Sequence, residues 1–331
     1  MDLQHGDSGA AAPDLTIPLI DLTGPESDVV ARIGGACADW GFFQVVGHDV
    51  APTLSARAID HARAFFALPA AEKRMLSRTA TNPWGYYDRE LTKNLRDKKE
   101  IFDIGPEPRS DGADSLWTTR TPWPDQGAGF RDCMATYAHA CEALSRRLLG
   151  LICLGLGVER ERLAAAFEPT STSFLRLNHY PVRDPMADEI RAVAPGGDLG
   201  IHHHTDAGAL TVLLQDENDG LQVWRDGGWR TISAIPGAFV INIGDMVQVW
   251  SNDLYRAPVH RVLAMDRVDR LSLPLFYNPA YEARVAPIET CTAPQAPARY
   301  RPIPWGEFRR RRADGDFADY GAEVQISDYR V

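Results

Sequence analysis

The sequence predicts a mixed α+β protein whose core is a double-sheet jelly roll flanked by helices. Three observations carry that expectation. After Thr170 the chain breaks into short β-rich runs, roughly one every 8–12 residues, separated by Gly, Asp, Asn or Pro. Ahead of them lie segments whose apolar residues recur at helical spacing, long enough to cover one sheet. Finally, 331 residues with 44% hydrophobic and 24% charged side chains are ordinary globular material, within reach of one large domain.

The elements follow in order. Residues 1–14, rich in Gly, Ala and Asp, read as a disordered tail. An N-terminal α/β region spans 15–125. In it "LTIPLIDL" (15–22) is a short strand closed by Gly24-Pro25, and "ESDVVARIGGACADWG" is a helix with Gly41 past its end. "FFQVVGH" (42–48) is strand-like, residues 53–68 return to a helical period before Pro69, and "TNPWGYYDRELTKNLRDKKEIFDIG" reads as loop. Residues 126–170 hold backing helices, chiefly a block at 129–156. The jelly-roll region, 171–285, carries "STSFLRLNHYP", "ALTVLLQ", "GLQVWR", "GWRTI", "GAFVINIG", "MVQVWS", "HRVLAM" and "LSLPLFYNP" as strands. The remainder, 286–331, contains "WGEFRRRRADG", a basic helix whose arginines read as a solvated face, and a polar tail.

Composition excludes several functions. Lysine and arginine number 35 against 45 acids, and a net charge of −10 argues against nucleic-acid or anionic-membrane partners, which favour a basic face. The start "MDLQHGDSGAAAPD" lacks the basic and apolar regions of a signal peptide, and no window approaches about 18 uninterrupted apolar residues. Five cysteines, Cys37, Cys133, Cys141, Cys153 and Cys291, form no CxxC pair and read as free buried thiols in a reducing cytoplasm.

Three of the nine histidines stand together in "DLGIHHHTDAGALTVLLQ" (198–215). In a strand, residues two apart share a face, roughly 6.5 Å along it, so His204 and Asp206 can close on one ion. His202 shares that face, while His203 and Thr205 point away. A third ligand must come from elsewhere, and His260 in "YRAPVHRVLAM" is the candidate. Two histidines and a carboxylate on one side of an ion leave three positions open, an arrangement that suits non-haem Fe(II) oxygenases. Beyond His260 comes "RLS", Arg270 and Ser272. If Arg270 lies on the next antiparallel strand, its guanidinium fork and the serine hydroxyl face one way and form a carboxylate clamp. Together they point to a small acid that chelates the metal at one end and is gripped at the other.

With "NHYP" upstream, H-T-D, H-R-V and R-L-S resemble the iron(II)- and 2-oxoglutarate-dependent dioxygenases of the isopenicillin N synthase-like superfamily. "IPLIDL", "WGFFQVVGH", "FFALPAAEK" and "WGYY" resemble that family's N-terminal region, which packs on the core and contributes substrate loops. Residues 171–279 resemble its catalytic double-stranded β-helix. The resemblance implies His204, Asp206 and His260 as iron ligands, the H-T-D match favouring His204 over His202. It implies Arg270 and Ser272 as receptor for the distal carboxylate of 2-oxoglutarate, with Tyr180 on the same co-substrate and Asn178 near the metal. Three features depart from the common pattern. "VVGHDV" stands where members read close to "VVNHGV", His179 replaces a frequent aromatic, and His202 and His203 are unusual.

The implied cofactors are Fe(II), 2-oxoglutarate and O2. The implied reaction is oxidation of a small-molecule metabolite by hydroxylation, desaturation or ring closure, with release of succinate and CO2. Substrate candidates are Tyr86, Tyr87, Arg176, Phe276 and Tyr277; Arg176 also shares a strand face with Asn178 and Tyr180. A cytoplasmic monomer or weak homo-oligomer is expected. Three other readings compete. They are an oxidase of the isopenicillin N synthase type without 2-oxoglutarate, an ethylene-forming enzyme, and a metal-binding β-sandwich protein that performs no turnover.

Overall fold

The computed structural model describes residues 16–108, 119–125, 128–184, 186, 199–315 and 324–331; the tail expected over 1–14 lies outside the described residues. The N-terminal region forms β1 (Leu19–Asp21), β2 (Phe42–Val46), β3 (Gly85–Tyr87), the short pair β4 (Leu91–Thr92) and β5 (Leu95–Arg96), and β6 (Glu100–Ile104). The later region forms β7 (Phe174–Tyr180), β8 (Leu199–His204), β9 (Leu210–Gln215) and β10 (Leu221–Arg225). It continues through β11 (Gly228–Thr231), β12 (Phe239–Ile243), β13 (His260–Leu263) and β14 (Arg270–Tyr277). A large sheet runs β1-β2-β12-β9-β14-β7-β6-β3, and a smaller one runs β11-β10-β13-β8.

The period-two pattern of the large sheet decides what each face covers. On β7, Leu175 and Leu177 pack into the main core, while Phe174, Arg176, Asn178 and Tyr180 face the space between the sheets. On the core side lie α1 (Glu26–Asp39), α2 (Pro52–Phe66) and α4 (Ala128–Gly155); the short α3 (Ala70–Arg74) follows α2. Phe130, Met134, Tyr137, Cys141, Leu148 and Ile152 of α4 are buried in that core. Each such side chain contributes about 1.5–3 kcal/mol when fully removed from water. A second cluster, including Phe42, Leu213, Val240, Leu221, Val223 and Val262, joins the two sheets to each other. All five cysteines are buried and free, as the sequence implies.

The structure corrects two expected elements. "MVQVWS" belongs to a helix, α5 (Asp245–Trp250), instead of a strand. Met246, Val247, Val249 and Trp250 are all buried, so apolar periodicity cannot separate the two states here. Tertiary bonds settle it: the Asp245 and Met246 N–H groups donate to the Asp206 and Gly208 carbonyls at 2.8 and 3.0 Å. The stretch read as loop at 81–105 instead supplies β3 and β6 to the large sheet. Its charges disguised it, because they are paired internally. Glu100 accepts from Lys73 and from the Tyr86 hydroxyl, each at 2.6 Å, and Asp103 accepts from Arg176 Nε at 2.7 Å.

Candidate metal centre and its cavity

His204 ends β8, His260 begins β13, and the two stand opposite each other in the antiparallel register. Asp206 is not on the strand, as the spacing argument assumed, but two residues past its end. Its Oδ1 lies 3.5 Å from Nε2 of both histidines. The potential ligand atoms of the three residues lie within 4.8 Å of one another, close enough to share one ion.

Each ligand is fixed by a second bond. Nδ1 of His204 meets the His202 carbonyl at 2.8 Å, and Nδ1 of His260 meets the Pro258 carbonyl at 3.1 Å. A carbonyl only accepts, so both Nδ1 atoms carry the proton and both Nε2 lone pairs are left for a metal. Burial, together with His204 alongside, pulls the His260 imidazole down to about 4, so it is neutral near pH 7. Burial alone would raise the Asp206 carboxyl. His260, His204 and Asn242 outweigh it and hold the group well below the usual carboxylate range. Asp206 Oδ2 accepts from Thr211 Oγ1 and, at 2.8 Å, from Asn242 Nδ2, leaving Oδ1 for the ion. Gly208 and Gly244 let the turn close: a Cβ on Gly244 would lie 2.2 Å from the Gly208 carbonyl oxygen.

His202 leaves the metal set. Its ring and backbone N–H both turn to Asp97 Oδ1, at 2.9 and 3.0 Å, inside the protein. His203 is half-buried outside the ligand set. His179 meets Glu100 at 2.7 Å and stacks on Phe66, which explains how it stands in for an aromatic. The altered loop at Gly47 lies away from the centre, with Asp49 paired to Arg147.

Arg270 and Ser272 lie on β14 as expected. That strand, however, pairs with β7 and β9 in the large sheet and not with the strand of His260. Arg270 stands opposite Tyr180, and Ser272 opposite Asn178, so the four form a square on one face. Asn178 Nδ2 donates to Ser272 Oγ at 3.3 Å, and the Arg270 guanidinium lies 5.0 Å from the Tyr180 ring centre. Arg270 is 1% exposed. Its Nε and Nη2 donate to the Asn218 carbonyl and to Gln215 Oε1, but Nη1 has no partner, and no carboxylate among the described residues pairs with it. Asn178 Oδ1 is likewise buried without a partner. A buried cation with neutral partners and an unused donor is costly unless an anion arrives from outside.

The triad and this square line one cavity of about 160 Å³ between the sheets. Of the substrate candidates, Arg176 and Phe276 are in its wall. Tyr277 falls on the opposite face of β14, where it stacks on Phe167 at 4.3 Å. Tyr86 and Tyr87, on the outer strand β3, also stand outside the wall, engaged by Glu100 and by Arg78. Sequence reading missed Thr211, Asn242 and Gln215, which hold the named residues. Their signal was a polar side chain at a sheet position among apolar ones, in "ALTVLLQ" and "GAFVINIG". It also missed Arg309 and Arg312. They lie on α6 (Trp305–Gly315) and line the cavity, whereas Arg310 and Arg311 are exposed, as the solvated-face reading expects.

Two histidines and a carboxylate within reach of one ion, beside a buried arginine with no carboxylate partner among the described residues, suit a non-haem iron oxygenase that takes a carboxylate co-substrate. Comparison with known proteins agrees. Residues 171–279 match the 2OG-Fe(II) oxygenase superfamily, and residues 17–126 match the family described as non-haem dioxygenase in morphine synthesis N-terminal. The chain is 34% identical to jasmonate-induced oxygenase 4 of Arabidopsis thaliana over 307 residues, 89% of this chain and 81% of that one. It is 31% identical to flavonol synthase/flavanone 3-hydroxylase of Matthiola incana, covering 88% and 96%. Among solved structures, JOX2 in complex with 2OG, Fe and JA superposes with a TM-score of 0.77 at 32% identity, covering 89% and 84%. The dioxygenase for auxin oxidation in rice gives 0.73 at 28%, covering 95% and 100%. The chain belongs to the 2-oxoglutarate–Fe(II) oxygenase superfamily. It is an oxidoreductase that uses Fe(II), 2-oxoglutarate and O2. No helix among the described residues is long and apolar enough to cross a membrane.

Proposed function

We propose that this dioxygenase oxidises a small-molecule metabolite, by hydroxylation or by the related desaturation or ring closure, with release of succinate and CO2. The observation that carries the reading is Arg270, a buried cation with no carboxylate partner among the described residues and one donor unused, lining the same cavity as the triad. His204, Asp206 and His260 would hold the iron, which when bound with 2-oxoglutarate supplies the oxidation of an unactivated C–H bond. Arg270, Ser272, Tyr180 and Asn178 would grip the co-substrate and fix its register. Phe174, Phe276 and Pro274 present an apolar wall against which a carbon skeleton is placed and water excluded.

Succinate formation from 2-oxoglutarate under air tests this directly. Fe(II)-dependent succinate that disappears on adding a chelator and in His204→Ala is the expected result. An iron-loaded chain that leaves 2-oxoglutarate unconsumed would overturn it.

A further inference from the structure

Of the three candidate ligands, Asp206 is the one that no strand holds. His204 and His260 sit in paired strands, whereas Asp206 lies two residues past the end of β8, where the ladder no longer fixes its backbone. Two bonds take the ladder's place, one on each flanking peptide. Asp245 N–H donates to the Asp206 carbonyl at 2.8 Å, and Arg312 Nη2 donates to the Thr205 carbonyl at 3.2 Å. A peptide unit is planar, so tying the Thr205 carbonyl sets the plane before Asp206, and tying the Asp206 carbonyl sets the plane after it. Together they fix the backbone from which the carboxylate projects. Asp245 and Arg312 also act on each other. Asp245 is 1% exposed, its carboxylate accepts from the Thr205 hydroxyl, and the charge of Arg312 opposes the cost of burying it.

The other terminal nitrogen of Arg312 leads away from the turn. Nη1 donates to the Val324 carbonyl at 3.3 Å. Val324 is buried and opens the described segment 324–331. There Tyr329 packs on Phe308 of α6 with ring centres 6.0 Å apart, and Arg330 pairs with Asp253 at 2.9 Å. One guanidinium therefore spans the ligand turn and the C-terminal segment.

From this geometry we propose that Arg312 is a positioning residue of the metal centre. It fastens α6 and the segment 324–331 to the turn of Asp206, so a ligand supplied by the jelly roll takes its direction partly from a side chain 107 residues further on. The proposal rests on His204, Asp206 and His260 holding the metal, as in the reading above.

Titration of the metal-free full chain under argon tests it, with Fe(II) and Co(II) as the probes. Co(II) adds a visible ligand-field band that reports the coordination geometry. Arg312→Met should bind both metals roughly 10–100-fold more weakly, the range for loss of a ligand's supporting bond, and its Co(II) band should shift. Arg312→Lys keeps the charge beside Asp245 but not the two-armed fork, so it should recover part of the loss. Arg311→Met, exposed on the same helix, should match the unaltered chain. Circular dichroism and denaturant unfolding establish that each variant is folded at the titration temperature. Should Arg312→Met fail to fold, the pair of Arg312→Met with Asp245→Asn, which leaves no buried charge alone, carries the same expectation. Unchanged metal affinity, or an unshifted Co(II) band, in a folded variant lacking Arg312 overturns the proposal. An unaltered chain that binds neither metal would instead overturn the ligand assignment, and the proposal with it.

Discussion

His204 and His260 face each other across adjacent antiparallel strands, and each gives its Nδ1–H to the carbonyl two residues before it, of His202 and Pro258. The same local device thus sets the tautomer of both rings and turns both Nε2 atoms toward Asp206. Backbone carbonyls thus orient both histidines of the candidate centre.

Asp206 depends on side chains instead. Asn242→Leu removes the donor that holds its Oδ2 at 2.8 Å and leaves the carboxylate free to rotate. Iron affinity should fall roughly 10–100-fold, the usual cost of losing a ligand's supporting bond. Titration with Fe(II) under argon measures it. Wild-type affinity would show that Thr211 alone suffices.

His202→Ala separates the histidine cluster into its parts. His202 bonds to buried Asp97 and lies outside the candidate ligand set, so iron content should stay at the wild-type level. Stability should fall by about 1–3 kcal/mol, because Asp97 loses a partner inside the protein. Metal analysis and denaturant unfolding read the two effects separately. Loss of iron would move His202 into the ligand set.

Arg270→Ala should leave iron bound but weaken 2-oxoglutarate. Removing one side of a desolvated charge pair costs about 2–5 kcal/mol, or roughly 30- to several-thousand-fold in affinity. Unchanged co-substrate affinity would remove Arg270 from the site.

Asp253 makes stability depend on acid. Burial alone would raise its carboxyl, but hydrogen bonds from Arg330, Tyr300, Gln248 and Arg299 prevail and lower it from 3.8 to about 2. A lowered carboxylate stabilises the fold above the unfolded pKa, and that contribution is lost as pH falls through the folded one. About 2 kcal/mol should therefore disappear between roughly pH 4 and pH 2, and Asp253→Asn should lose a similar amount at pH 7. Unfolding free energies of both chains against pH give the check; parallel curves would exclude the effect.

Much of the centre was legible because its residues lie close in sequence or at strand spacing: His204 with Asp206, Arg270 with Ser272, and Arg176 with Asn178 and Tyr180. Legibility failed where tertiary contacts override local pattern. The segment at 245–250 buries Met246, Val247, Val249 and Trp250, so apolar spacing does not mark a helix, and its helix depends on bonds to the Asp206 turn. The strand at Glu100–Ile104 hides its charges in internal pairs, and a run of four arginines divides into two that face the cavity and two in solvent. His202 looked equivalent to His204 by spacing alone. The H-T-D resemblance favoured His204, and the position of Asp97, from a distant segment, shows what holds His202 instead.

Anaerobic absorption spectroscopy tests most directly whether Arg270 and the triad hold one small acid between them. Fe(II) and then 2-oxoglutarate are added to the metal-free protein, with Arg270→Ala run alongside. A visible charge-transfer band that needs both additions, and that requires far more 2-oxoglutarate in Arg270→Ala, is the expected result. Iron that binds with no band at any 2-oxoglutarate concentration would contradict it.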